Sequence, residues 1–155
     1  MKVSVIVITY NQEKYIKETL DSIIFQSTTH DLEILVHDDC STDKTLDIIK
    51  DYEEKYPTLV KLIEEKENQF SKGEYRILSK LFPLCRGKYI AVCEGDDFWI
   101  DPLKIEKQVA FLEKHGEYTF ITSCAKNVDR DGNDLGTYLG KRFDADRDIT
   151  LDNDA

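Results

Sequence analysis

An acidic turn, Glu94-Gly95-Asp96-Asp97, directly follows an apolar segment of the chain. Adjacent carboxylates repel, and each raises the pKa of its neighbour, so the turn must be hydrated or must hold a cation. Asp96 and Asp97 offer hard oxygen ligands, which suit Mg²⁺ or Mn²⁺ better than Zn²⁺. Because two carboxylates hold Mg²⁺ only weakly, the pattern predicts a metal site that borrows oxygens from a bound diphosphate.

A second polar cluster, Thr9-Tyr10-Asn11, follows the first apolar run. A turn at this place presents backbone N–H and C=O groups, which suit the flat ring of a nucleotide base. A simpler interpretation makes Asn11 the cap of the next helix and lets Thr9 bond only to backbone. Tyr10 is expected to pack in the core.

A third polar cluster runs from Asp38 to Asp43. Ser41, Thr42 and Asp43 are predicted to cap the following helix, because their side chains accept hydrogen bonds from its free N–H groups. Asp39 has two interpretations. It is either a solvated turn residue or a carboxylate that accepts from the ring N–H of a uracil or guanine.

Apolar runs and helical periodicity alternate along the chain, which predicts an α/β fold. Helices are predicted from Asn11, around Leu46–Tyr56, over Glu74–Leu84, and from an Asp101-Pro102 start to Gly116. A hairpin strand is expected at Leu135–Tyr138. The predicted buried strands are Val3–Ile8, Leu32–Val36, Leu59–Ile63, Tyr89–Cys93 and Tyr118–Cys124.

Such a fold places the three polar clusters together. The carboxyl ends of parallel strands meet at one edge of the sheet, and ligands of α/β proteins bind there. Each cluster directly follows a predicted strand, so we expect a single site built from all three.

Charge, apolar run length and cysteine spacing limit the classes of function that the chain can have. A net charge of −10 disfavours nucleic acid as a partner. No apolar run approaches the roughly 20 residues of a membrane-spanning helix, and no signal peptide is evident, which predicts a cytoplasmic protein. The four cysteines lack CxxC spacing and are expected to be reduced, with Cys93 and Cys124 in the core.

Three segments together resemble family 2 glycosyltransferases of the GT-A fold: "VSVIVITYNQEKYIKETLDSIIFQ", "EILVHDDCSTDKT" and "GKYIAVCEGDDFWIDPLKIEKQ". The resemblance extends from Val3 to about Cys124. It implies a Rossmann-like, mainly parallel sheet with helices on both faces. It also implies an enzyme that transfers a sugar from a nucleotide diphosphate sugar to an acceptor hydroxyl, with metal assistance and inversion.

The resemblance assigns roles to individual residues. Thr9 and Asn11 would lie beside the base. Asp39 would accept from the base N3–H, which favours UDP. Asp96 would hold the ribose or the metal, and Asp97 would bind the Mn²⁺ or Mg²⁺ that bridges the diphosphate. Glu94 stands where the family often has aspartate and is not expected to be a ligand.

The resemblance also implies what lies elsewhere. Residues 1–140 would form the nucleotide-sugar-binding domain, and 141–155 a charged tail or the start of a further segment. The catalytic base and the site for a glycan or lipid-linked acceptor would lie beyond residue 155, with peripheral membrane association through that part. One alternative is a binding fragment that lacks the base and transfers nothing. Another, a phospho-acceptor signalling domain, is disfavoured because the first strand ends in Thr-Tyr-Asn rather than in acids.

Overall fold

The computed structural model of the chain describes residues 3–129 and 131–139. The chain divides into two compact units, residues 1–114 and 115–155. In the first unit strands and helices alternate, as the apolar pattern predicts. Its elements are β1 (Val3–Thr9), α1 (Ile16–Ile24), β2 (Leu32–Asp38), α2 (Thr45–Lys55), β3 (Val60–Glu64), α3 (Ile77–Leu81), β4 (Tyr89–Glu94) and α4 (Lys104–Lys114).

The four strands of the first unit form a parallel sheet in the order β3-β2-β1-β4. β1 lies between two neighbours, which explains why its sequence is apolar almost throughout. Thr9 pairs with Asp38 on one side, and Ile8 pairs with Glu94 on the other. β1, β2 and β4 therefore end at nearly the same level, as the predicted single site at the carboxyl edge of the sheet requires.

Both faces of the sheet are packed. On one face Val3, Val5 and Val7 join a large cluster that includes the buried faces of α1, α2 and α4. On the other face Ile6 and Leu35 pack against α3 and its flanks. The predicted parallel sheet with helices on both faces is confirmed.

The helices differ from prediction mainly in length. The segment 74–84 was predicted to be one helix, but only Ile77–Leu81 is α-helical, flanked by 3₁₀ turns at Phe70–Lys72 and Phe82–Leu84. Pro83 explains the early end, because proline in a helix interior removes a hydrogen bond and clashes with the preceding turn. The helix predicted from Asp101-Pro102 begins later, at Lys104, although Asp101 Oδ1 accepts the N–H of Leu103 at 2.9 Å in the turn that precedes it.

The amino edge of the sheet holds a buried polar network. Ser4 Oγ donates to Glu33 Oε1 at 2.6 Å and accepts the N–H of Gly87 at 2.8 Å. Arg86 donates to the Glu33 carboxylate from its backbone N–H at 2.6 Å and from its guanidinium at 2.6 and 2.7 Å. A Cβ on Gly87 would lie 2.5 Å from the backbone nitrogen of Ser4, so glycine is required there.

The second unit contains a short antiparallel hairpin, β5 (Ala125–Val128) with β6 (Asp134–Leu139). The predicted hairpin strand is confirmed, but the predicted strand Tyr118–Cys124 is wrong. Those residues form neither helix nor strand, and Phe120 is 79% exposed. An apolar run becomes a strand only when its backbone groups find a neighbouring strand, which a sequence pattern does not reveal. The charged segment 141–155 lies outside the described residues.

Within residues 3–129 and 131–139, none of the helices has both the length and the apolar character needed to cross a bilayer. All four cysteines lie in this range and are free. Cys93 is buried as predicted, whereas Cys124 is exposed, so its predicted place in the core is wrong.

Candidate nucleotide-binding edge

The three polar clusters meet at the carboxyl edge of the sheet, linked by backbone bonds. The N–H of Asp39 donates to the Thr9 carbonyl at 3.0 Å, and the N–H of Gly95 donates to the Ile8 carbonyl at 2.8 Å. The loops after β2 and β4 are thus both fixed to the end of β1. This is the convergence that the order of motifs predicts.

Gly95 permits the close approach of the acidic turn to β1. A Cβ at this position would lie 2.3 Å from Gln12 Oε1 and 2.7 Å from Thr9 Cβ, closer than side-chain atoms approach. The Gly95 carbonyl also accepts from Thr19 Oγ1, on α1, at 2.9 Å. Gly95 therefore determines the position of the Asp96 and Asp97 backbone relative to the other two clusters.

Asp96 and Asp97 are both exposed at the carboxyl edge of the sheet. Partial burial and then the neighbouring Asp96 charge raise the pKa of Asp97, so the expected repulsion is present. Among the described residues no group of three or more His, Cys, Asp or Glu side chains could hold a metal. Two carboxylates fit Mg²⁺ or Mn²⁺ only as part of a coordination shell completed by other oxygens.

Asp39 is almost fully buried, with 6% of its surface exposed, and connects three loops. Besides its backbone bond to Thr9, its carboxylate accepts the N–H of Gln69 at 2.6 Å and the N–H of Phe70 at 3.0 Å. The solvated-turn interpretation of Asp39 is therefore wrong. Each carboxylate oxygen carries two lone pairs and accepts one of these bonds, so each oxygen retains capacity for one further donor.

Asn11 joins the first two clusters. It adopts a left-handed backbone conformation, with φ of 53°, which asparagine tolerates better than most residues. Its side-chain oxygen accepts the N–H of Thr42 at 2.7 Å, and its own N–H donates to Ser41 Oγ at 2.9 Å. Asn11 therefore holds the turn after β2 rather than capping α1. None of the three residues predicted to cap α2 is its N-cap, which is Lys44 and has no side-chain cap bond; Asp43, one residue earlier, accepts the N–H of Thr45 at 2.9 Å.

Two buried oxygen atoms at this edge have no hydrogen-bond partner among the described residues: Thr9 Oγ1 and Gln12 Oε1. Buried polar atoms are usually bonded, so these two atoms, which face Gly95, are exceptions among the described residues. Sequence reasoning missed Gln12, whose polar type at the start of a helical segment is uninformative. Tyr10 was expected in the core but is 45% exposed at the same turn.

The aromatic residues after the acidic turn anchor it. Trp99 is partly buried against the main core, and its backbone N–H donates to Ser22 Oγ at 3.0 Å. Lys104 Nζ lies 5.5 Å from the centre of the indole ring. Burial is the main cause, and the Asp97 charge the second, of a rise in the pKa of the Cys93 thiol to about 12. This neighbouring cysteine therefore stays protonated and is not a nucleophile.

The family model "Glycosyl transferase family 2" matches residues 4–152 of the chain. The chain belongs to this family. The match covers all three polar clusters and the strands that carry them, and it confirms the resemblance seen in the three motifs.

Individual relatives agree with the family. The chain is 32% identical over 142 residues to the uncharacterized glycosyltransferase MJ1057 of Methanocaldococcus jannaschii, covering 91% of the chain and 47% of that protein. It also resembles the solved structure of Staphylococcus aureus TarS residues 1–349 in complex with UDP. That match has a TM-score of 0.63 and 36% identity, and covers 75% of this chain and 33% of that TarS 1–349 chain.

A third similar protein is the mannosyltransferase PcManGT from Pyrobaculum calidifontis, solved in complex with GDP-Man and Mn²⁺. The TM-score is 0.64 with 28% identity, over 82% of this chain and 35% of that one. These likenesses confirm the predicted GT-A fold. The chain spans less than half the length of each of these three relatives and therefore corresponds to a part of them.

Proposed function

We propose that the chain is the donor-binding part of a glycosyltransferase that moves a sugar from a nucleotide diphosphate sugar, first of all a UDP-sugar, to an acceptor hydroxyl. The observation that carries the proposal is the convergence of Thr9, Asp39 and the Asp96-Asp97 pair at one edge of a family 2 sheet. The TarS structures in complex with UDP and with UDP-GlcNAc, at 36% identity, support uridine as the first base to test.

Each polar residue has a proposed role. Thr9 and Asn11 lie beside the base, and Asp39 uses its remaining acceptor capacity on the base N3–H. Asp96 holds the ribose or the metal, and Asp97 binds the divalent ion. That ion, when bound, neutralises charge on the departing diphosphate. Partial burial and then the Asp96 charge raise the pKa of Asp97, which supports this role, because a bound cation favours the ionised form against both effects.

Transfer itself needs groups that we do not assign within the described residues. An inverting displacement needs a base that deprotonates the acceptor hydroxyl, and we propose that it lies beyond residue 155 with the acceptor site. The proposed acceptor is a glycan or a lipid-linked sugar. The proposed location is the cytoplasm, with peripheral attachment to the membrane.

Calorimetric titration of the chain with UDP, with and without Mn²⁺, tests the proposal. We expect binding that requires or is strongly enhanced by Mn²⁺. Asp97→Ala should remove most of the Mn²⁺ enhancement, because it deletes the proposed metal ligand. Glu94→Ala is the matched control: it removes an exposed acid from the same turn, and the enhancement should persist. If UDP gives no binding heat either with Mn²⁺ or without it, the proposal is contradicted.

A second candidate is a nucleotide-sugar-binding module without transfer activity. It follows if no residue of the protein serves as the base that deprotonates the acceptor, and we assign no such base within the described residues. An assay for release of UDP from UDP-GlcNAc in the presence of acceptor separates the two. Binding without release supports the module, and release that depends on Asp97 supports the enzyme.

A further inference from the structure

Two exposed aromatic rings lie in the loop after β3, which the three sequence motifs do not include. Phe70 is 66% exposed and Tyr75 is 70% exposed. Their ring centres are 5.0 Å apart and the rings meet edge to face at 82°. Single exposed apolar residues need no explanation, but two large rings held against each other in solvent suggest a contact surface.

The loop holds these rings in a defined position. Its first turn is fixed by the two N–H bonds from Gln69 and Phe70 to the Asp39 carboxylate. The turn closes on itself: the N–H of Gly73 donates to the Phe70 carbonyl at 3.0 Å, and that of Glu74 donates to the Gln69 carbonyl at 3.1 Å. Gly73 has φ of 82°, a conformation that glycine adopts without strain.

The position is next to the ligand edge. The Asp39 carboxylate accepts a hydrogen bond from the Phe70 N–H. The backbone N–H of Asp39 donates to the carbonyl of Thr9 at 3.0 Å. Phe70 is therefore separated from the end of β1 by one buried residue. A flat, uncharged ring bound beside Thr9 and Asp39 would have the exposed Phe70 on the adjoining loop, and stacking is the interaction that an aromatic face offers.

We propose that Phe70, supported by Tyr75, is the surface on which the base of the donor nucleotide stacks, and that Asp39 positions this surface through its bonds to the loop. The inference rests on the proposed function. It adds that recognition of the base depends on a hydrophobic contact from the β3 loop as well as on hydrogen bonds. Because every base has a π-face, this contact contributes for uracil and guanine alike.

The test compares ligands with and without a base, in the full chain with Mn²⁺. Phe70→Ala should weaken UDP binding about tenfold, the scale of losing one base–aromatic stack. It should leave the affinity for inorganic pyrophosphate unchanged, because pyrophosphate carries the metal-bridging group but no ring. Phe70→Trp should retain or improve UDP binding. Tyr75→Ala should produce a smaller loss than Phe70→Ala.

Phe25→Ala is the matched control. Phe25 is 67% exposed at the end of α1, outside the loops that follow the strands, so UDP affinity should not change. Thermal unfolding of all variants should stay close to that of the wild type, because each removed ring is largely exposed.

The proposal is overturned if Phe70→Ala and Tyr75→Ala both bind UDP like the wild type. It is equally overturned if Phe70→Ala weakens pyrophosphate as much as UDP, which would show a general effect on the loop. A wild-type chain that binds neither UDP, GDP nor pyrophosphate with Mn²⁺ contradicts the proposed function itself. A chain that binds GDP in place of UDP corrects only the choice of base, and the Phe70 variants then apply to GDP.

Discussion

The amino and carboxyl edges of the same sheet hold carboxylates whose pKa values are shifted in opposite directions. At the amino edge, burial alone would raise the pKa of Glu33, but bonds from Ser4 and Arg86 and the Arg86 charge outweigh it, and the pKa is lowered. At the carboxyl edge, burial and Asp96 leave the pKa of Asp97 raised. Ionised Glu33 therefore stabilises the fold, whereas ionised Asp97 costs stability.

The same contrast appears in neutral groups. Ser4 Oγ at the amino edge both donates and accepts a hydrogen bond. Thr9 Oγ1, at the other end of the same strand, has no partner among the described residues although it is buried. Under the proposed function, the group at the amino edge is satisfied within the protein, whereas Thr9 at the carboxyl edge belongs to the proposed ligand site.

The largest expected effect comes from the two glycines that let strands approach at each edge. Gly87→Ala should lower the free energy of unfolding by about 3 kcal/mol, because the added Cβ meets backbone atoms of Val3 and Ser4 that have no freedom to move away. Urea unfolding measures this loss, and UDP affinity of the folded fraction should persist.

Gly95→Ala is the counterpart at the carboxyl edge. Its Cβ meets the flexible end of Gln12 and the side chain of Thr9, so the stability loss should be smaller, about 1–2 kcal/mol, with loss of UDP binding. Gly116→Ala, where nothing lies within 4 Å, is the neutral control. If Gly95→Ala binds UDP normally, the carboxyl edge does not need this close approach.

A smaller effect is expected from Glu33→Gln, which should cost about 2 kcal/mol at pH 7 because Arg86 and Ser4 lose a charged acceptor. The pKa of Glu33 is lowered from its ordinary 4.5, so its contribution is complete above that pH. It is lost as the pH falls through the lower folded value.

Unfolding curves between pH 7 and pH 3 check this by comparing Glu33→Gln with the wild type. The difference between the two proteins should shrink at the acid end. Glu113→Gln, which removes an exposed partner of Lys88, should change stability by less than about 0.5 kcal/mol. A difference between Glu33→Gln and wild type that stays constant across the pH range would contradict the stabilising role of the ionised carboxylate.

The smallest expected effect has the opposite sign. Asp97→Asn should stabilise the ligand-free chain at pH 7 by no more than about 0.5 kcal/mol, because the site is hydrated and screened. The folded pKa of Asp97 is raised, so the gain should vanish as the pH falls through it and the wild-type carboxyl becomes neutral. Thermal unfolding of the variant and the wild type at low and high salt measures the difference in stability. If Asp97→Asn lowers the stability instead, Asp97 has a structural role.

Much of this arrangement was predictable from the sequence. The strand that ends at Thr9, the turn at Asp39 and the glycine before Asp96 were each recognisable, because buried strands are apolar and the polar residues after them stand out. Their meeting followed from the parallel sheet alone. The Tyr118–Cys124 strand was predicted wrongly, because an apolar run does not reveal whether a partner strand is present.

The sequence by itself determined the α/β fold and the edge at which the acids lie, because hydrophobic periodicity is local and the carboxyl ends of parallel strands must coincide. Only the tertiary structure decided the partners of each polar side chain: Asp39 with Gln69 and Phe70, Asn11 with Thr42, and Glu33 with Ser4 and Arg86. Those contacts join residues about 30 or more positions apart in the chain, and such separations depend on how the loops fold over the sheet rather than on any local pattern.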